Sequence, residues 1–159
     1  MARFDLAGGR HRLRFTSLTA SGDVIDRWVQ AQAVPDLSGQ SLVLSTPKIL
    51  RAKNMVELRA IEANPTASPT ASTRFGATDR VLVEIEGQAP PGQTPQIKID
   101  LLNAKGDFLQ TLQTVPLTGG RIRMPLPVSS LANSTYVLRI EASAGEQISQ
   151  QWVAFRVAR

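Results

Sequence analysis

The sequence predicts an all-β protein whose main body is an antiparallel sandwich. Apolar residues recur at every second position through much of 81–157, the period of half-buried strands. Glycine- and proline-bearing turns interrupt this alternation roughly every ten residues, the rhythm of a sandwich rather than of crossover units. Only one short segment shows helical spacing.

The first strand pair lies in 9–34. Arg10, Arg12 and Arg14 fall on one face of a strand, and His11, Leu13 and Phe15 on the other. Ala20-Ser21-Gly22-Asp23 is the turn, and a second strand carries Trp28-Val29. Residues 54–62 then place Met55, Leu58 and Ile61 on one helical face, with Asn54 as the N-cap. NPTASPTAS (64–72) reads as an extended, solvated connector because of Pro65 and Pro69. The remaining strands follow by alternation: Val81, Val83 and Ile85; Ile97, Ile99 and Leu101; Ile122, Met124, Leu126 and Val128; Tyr136, Leu138, Ile140 and Ala142; Val153, Phe155 and Val157. Asn103-Ala104-Lys105-Gly106, Gly119-Gly120 and Ala144-Gly145-Glu146 supply turns. Pro125 and Pro127 cannot donate to a ladder, which predicts an edge position or an early end for their strand.

Composition excludes several chemistries. The 159 residues contain no cysteine and one histidine, so neither a disulfide nor a Cys/His zinc cluster can form. The net charge of +5 is concentrated in the first half, +4 over residues 1–75 against +1 over 76–159. There is no basic block; the densest cluster is Arg10, Arg12 and Arg14, which reads either as a solvated outer face or as an anionic-surface patch. Nucleic acid is not an expected partner. Arg3, Asp5 and the three clustered arginines interrupt the opening stretch, so it does not read as a signal peptide.

An internal repeat accounts for the first half. Leu6, Ala7, Leu13 and Arg14 match Leu131, Ala132, Leu138 and Arg139 at an offset of 125, and Trp28-Val29 matches Trp152-Val153 at 124. His11 then stands where Tyr136 stands. Two copies of a closing hairpin imply two tandem sandwich domains, the first without its front half, and the chain then reads as a fragment of something longer. A lone hairpin is marginal in water, so 9–34 is expected to dock on the following domain or on a partner copy.

Catalytic constellations are weak. His11 lacks the nucleophile-elbow partner of a serine hydrolase; GQSLV (39–43) has no second glycine. Glu84 and Glu86 share a strand face and read as exposed charges rather than paired catalytic carboxylates. Asp23 and Asp26 sit at a turn without an oxygen-rich calcium loop around them. Trp28 and Trp152, at equivalent repeat points, read as packing residues at a sheet edge or against a neighbouring domain. In a carbohydrate-binding sandwich such residues would instead be exposed in a line. No cofactor and no metal site is expected.

Three stretches, GGRHRLRFTSLTASGDVIDRWVQAQAVPD (8–36), LVLSTPKILRA (42–52) and STRFGATDRVLVEIEG (72–87), resemble the C-terminal β-sandwich region of bacterial, Acidobacteria-type, secreted VWFA-related domain proteins. The von Willebrand-like domain itself and its Asp-x-Ser-x-Ser metal motif have no match here. SSLANSTYVLRIEAS (129–143) is similar to the segment entering the penultimate strands of immunoglobulin-like and fibronectin type III-like modules, where a tyrosine bonds upstream backbone. Tyr136 is that tyrosine. With the resemblance, the expected organisation is an N-terminal hairpin region, the tail of a preceding sandwich-like domain (1–45), a linker with one short helix (46–72) and an immunoglobulin-like sandwich (73–159). The expected role is a non-enzymatic structural or protein-interaction module of an exported protein, extracellular or periplasmic. Its partners would be other proteins or neighbouring domains of the same parent chain, with self-association through the hairpin as a further possibility. The alternative is a carbohydrate-binding module.

Overall fold

In the computed structural model, residues 6–34, 41–117 and 120–158 are described. They form an all-β antiparallel sandwich with a separate N-terminal hairpin and one short helix. The hairpin is β1 (Gly9–Leu18) with β2 (Val24–Val34), closed by Thr19 and Asp23, whose backbones bond at 2.8 Å.

The first sheet is centred on β6 (Arg80–Gln88). One edge of β6 takes β4 (Lys48–Ala52) and, farther along, β3 (Val43–Leu44). The other edge takes β10 (Arg121–Leu126), which in turn pairs with β9 (Val115–Pro116). The second sheet runs β5 (Arg74–Gly76), β12 (Gln147–Ala158), β11 (Thr135–Ala144), β7 (Gln96–Asn103), β8 (Phe108–Leu112). All its pairs are antiparallel except β5–β12. From β6 onward the chain crosses between sheets every strand or two, the Greek-key connection of immunoglobulin-like sandwiches.

Period-two alternation builds the core. Val81, Val83, Ile85, Met124 and Leu126 of the first sheet face Ile99, Leu101, Leu138, Ile140, Phe155 and Val157 of the second, all buried. Each such side chain contributes about 1.5–3 kcal/mol through its loss of water contact. Chain reversals use glycine where positive φ is required. Gly145 (φ +57°) opens the two-residue turn between β11 and β12. Gly120 (φ +73°) sits so close to β6 that a Cβ there would lie 2.6 Å from the Gly87 carbonyl oxygen. Gly119 lies outside the described residues. β10 ends at Leu126, and β9 covers only Ile122 and Arg123, so the ladder never needs an N–H from Pro125 or Pro127.

One expectation is corrected. Residues 46–72 are not a linker between domains, and the sandwich does not begin at 73. β3 and β4 are strands of the first sheet, and Leu42 and Leu44 are core residues. The helix α1 (Met55–Ala63) is an insertion between β4 and β5 that packs on the first sheet's outer face. Asn54 caps it, accepting from Glu57 N at 2.9 Å, while Glu57 reaches back to Lys53 N at 2.8 Å. Beneath it Leu50 and Leu82 are buried although both point away from the core cluster. The proline connector is tied down as well: Thr70 N donates to Ile49 O at 2.8 Å. The hairpin does not join either sheet of the sandwich: β2 is exposed from Val24 to Ala33, and Gln32 and Ala33 at the hairpin's base line a pocket with Val43, Leu44, Glu86 and Gln151.

Candidate functional site

α1 lies against β4 of the first sheet, while no helix among the described residues lies over the outer face of the second sheet. Strand register sets two rows across it. One runs Trp152, Arg139, Asp100, Thr111; the next runs Ala154, Val137, Leu102, Phe108. Trp152 is 56 % exposed and Phe108 57 %, at opposite sides of this face. Three strand spacings separate them, about 15 Å.

Asp100 anchors the centre. It is 2 % exposed, on the outward side of β7, and it is held by two neighbours in its row and by Lys98 two residues back on β7. Arg139 donates to Oδ2 at 2.6 Å, Thr111 Oγ1 donates to Oδ1 at 2.7 Å, and Lys98 Nζ lies 3.1 Å from Oδ2. Burial by itself pushes the carboxyl up. The hydrogen bonds from Arg139, Thr111 and Lys98, with the Lys98 charge, outweigh it and hold Asp100 below the usual aspartate value. The result is a fixed arginine beside an exposed tryptophan on a rigid sheet, with half-buried Val137 alongside and Leu102 buried next to it. Such a surface can take up flat apolar or aromatic groups and orient polar ones.

The residues singled out in the sequence occupy different places. Tyr136 is buried; its hydroxyl donates to Ala132 O at 3.1 Å and its ring stacks on Phe155 with centroids 5.6 Å apart. His11 Nε2–H donates to Ala7 O at 2.7 Å. Both bonds run four residues upstream, so the repeat at offset 125 appears in hydrogen bonding as well as in sequence. Trp28 stacks on Phe15 at 4.9 Å and is 47 % exposed.

The two tryptophans are not equivalent. Trp152 pairs with Arg139 on the face opposite Tyr136, whereas Trp28 pairs with Phe15 on the same face as His11. The registers of the two hairpins differ by one residue, and a one-residue slip moves a side chain to the other face. Glu84 is likewise not an exposed charge. It is buried and ion-paired with Arg123, whose Nε donates to Oε1 at 2.8 Å.

Arg10, Arg12 and Arg14 share one hairpin face, as their spacing requires, and Arg27 joins them there opposite Thr16. Sequence reasoning missed Arg27 because its face depends on register. Opposite the other three stand Ala33, Ala31 and Val29. The carboxylates nearest the hairpin turn are engaged locally: Asp23 accepts from Ser21 Oγ at 2.8 Å, and Asp26 from Arg27 N at 2.8 Å. Among the described residues, no three His, Asp or Glu side chains converge as metal ligands would, and no helix is long and apolar enough to cross a membrane.

No family model and no curated protein matches the chain. Among solved structures it is similar to a DUF4426 family protein from Pseudomonas aeruginosa PAO1, at 12 % identity and a TM-score of 0.36. The match covers 79 % of this chain and 96 % of that one.

Proposed function

We propose that this chain is a non-enzymatic protein-interaction module that presents the open face of its second sheet to other proteins. The supporting observation is the asymmetry of the two outer faces. One is partly covered by α1, which packs beside β4, while the other leaves Trp152 and Phe108 exposed around a buried, fully bonded Asp100. Exposed aromatics beside a fixed arginine are the residue types that dominate binding energy at protein interfaces. In keeping with the resemblance to secreted VWFA-related proteins, the module would work outside the cytoplasm as a rigid spacer between domains or partners.

A photo-crosslinking residue placed at Trp152 in cells that express the protein tests this. A discrete adduct with another protein is expected from that site and not from Glu62, on the helix-covered side. The absence of any adduct, or equal adducts from both sites, refutes the reading. Polysaccharide binding is the second reading, because the same two aromatics share one sheet face. Quenching or shift of Trp152 emission by soluble polysaccharide, in a Trp28→Phe background, would favour it.

A further inference from the structure

Among the described residues, β1 pairs with β2 on one side only, and no described strand lies along its outer edge. Its repeat counterpart, β11, is paired on both sides, with β12 and with β7. The correspondence of β1 with β11 rests on the sequence match at offset 125 and on the twin bonds His11 to Ala7 and Tyr136 to Ala132. In that correspondence Arg14 is the counterpart of Arg139. Arg139 is held by Asp100, which stands directly opposite it on β7.

We propose that the free edge of β1 is a strand-addition site for an extended, alternately acidic segment of another polypeptide. The added strand would lie antiparallel to β1, as β7 lies against β11. Its carboxylates would face Arg10, Arg12 and Arg14, and its apolar residues would lie on the side of His11, Leu13 and Phe15. Charge complementarity selects this occupant. The arginine face carries no acidic residue among the described positions, and none of its guanidinium groups makes an ion pair with a described residue. A second copy does not fit the requirement. The alternating acids of this chain, Glu84 and Glu86, lie on β6, which is already paired on both edges. Backbone ladder bonds would supply affinity and the alternating acids register, the division of labour in strand addition. The site is independent of the Trp152 face and stands or falls separately from it.

The test uses the full chain and a synthetic peptide with Asp at alternate positions and apolar residues between. A control peptide has Asn in place of Asp. The Asp peptide is expected to bind about tenfold more tightly than the control, three cross-strand charge pairs being the difference. It is also expected to slow amide exchange along β1, with binding that weakens as salt is raised. Arg14→Glu is expected to cut the preference for Asp to about twofold, one net charge pair in place of three, and a peptide with Lys opposite position 14 to restore binding to that variant. Three results each overturn the proposal: equal binding of the Asp and Asn peptides, binding without β1 protection, or failure of the Lys peptide to rescue. Binding of heparin or an oligonucleotide in place of the peptide, again without β1 protection, would make the arginine face a general polyanion surface and also overturn it.

Discussion

Replacing Asp100 with Asn removes the charge at the centre of the open sheet while keeping its size and an acceptor for Thr111. The carboxylate is 2 % exposed, so the cost is not diluted by water at that end. The Arg139 side chain is 35 % exposed and that of Lys98 56 %, so their share is screened. A charge-assisted hydrogen bond of the Arg139 kind contributes about 1.5–3 kcal/mol, and an exposed Lys98 pair less than about 1 kcal/mol. The Asn amide also brings a donor towards two cations. The expected loss is therefore about 2 kcal/mol near neutral pH. With a urea dependence of about 1–3 kcal/mol per molar, the midpoint followed by far-UV circular dichroism should fall by about 1 M.

The pH dependence separates charge from shape. Asp100 is held below its ordinary value when folded. Its stabilisation is therefore fully present above the unfolded value, about 3.9, and is lost as pH falls through the lower folded value. The gap between parent and Asp100→Asn should be constant above about pH 5 and should close in stronger acid. An unchanged midpoint at neutral pH, or a gap as wide near pH 2 as near pH 7, refutes the argument.

Three further outcomes are expected. Tyr136→Phe keeps the stack on Phe155 but loses the bond to Ala132 O, and should lower stability by about 1 kcal/mol in chemical denaturation. Gly120→Ala forces positive φ on a residue with a Cβ and brings that atom against Gly87 O; a loss of about 1–3 kcal/mol is expected, and a neutral thermal midpoint would contradict it. In the chain by itself, amide exchange across 9–34 should be far faster than across β11, because two strands with no second layer open at little cost. Comparable protection of β1 and β11 would show that the hairpin is packed.

Much of the fold is legible as alternation. The five long strands from β6 to β12 are visible because one side of each meets the core and the other does not. β3 and β4 were hidden for a physical reason. Each is short, and within 48–52 Leu50 and Ala52 are buried outward under α1, so the pattern there does not read as one wet and one dry side. The helix itself was readable from Met55, Leu58 and Ile61, but not the surface it covers. At the candidate site, Trp152 was singled out while Asp100, Arg139 and Phe108 were not. Their rows exist only through pairing of β12, β11, β7 and β8.

Local pattern fixes which side chains of a strand share a face, because the strand repeats every two residues whatever lies beside it. It placed Arg10, Arg12 and Arg14 together and Tyr136 with Leu138 and Ile140. It cannot fix which strand lies alongside, in what register, or what covers the far side, since those contacts join residues far apart in the chain. Trp28 and Trp152 ended on opposite kinds of face through a single step of register. β11 acquired Asp100 from β7 beside Arg139, whereas the equivalent edge of β1 carries Arg14 with no described strand against it.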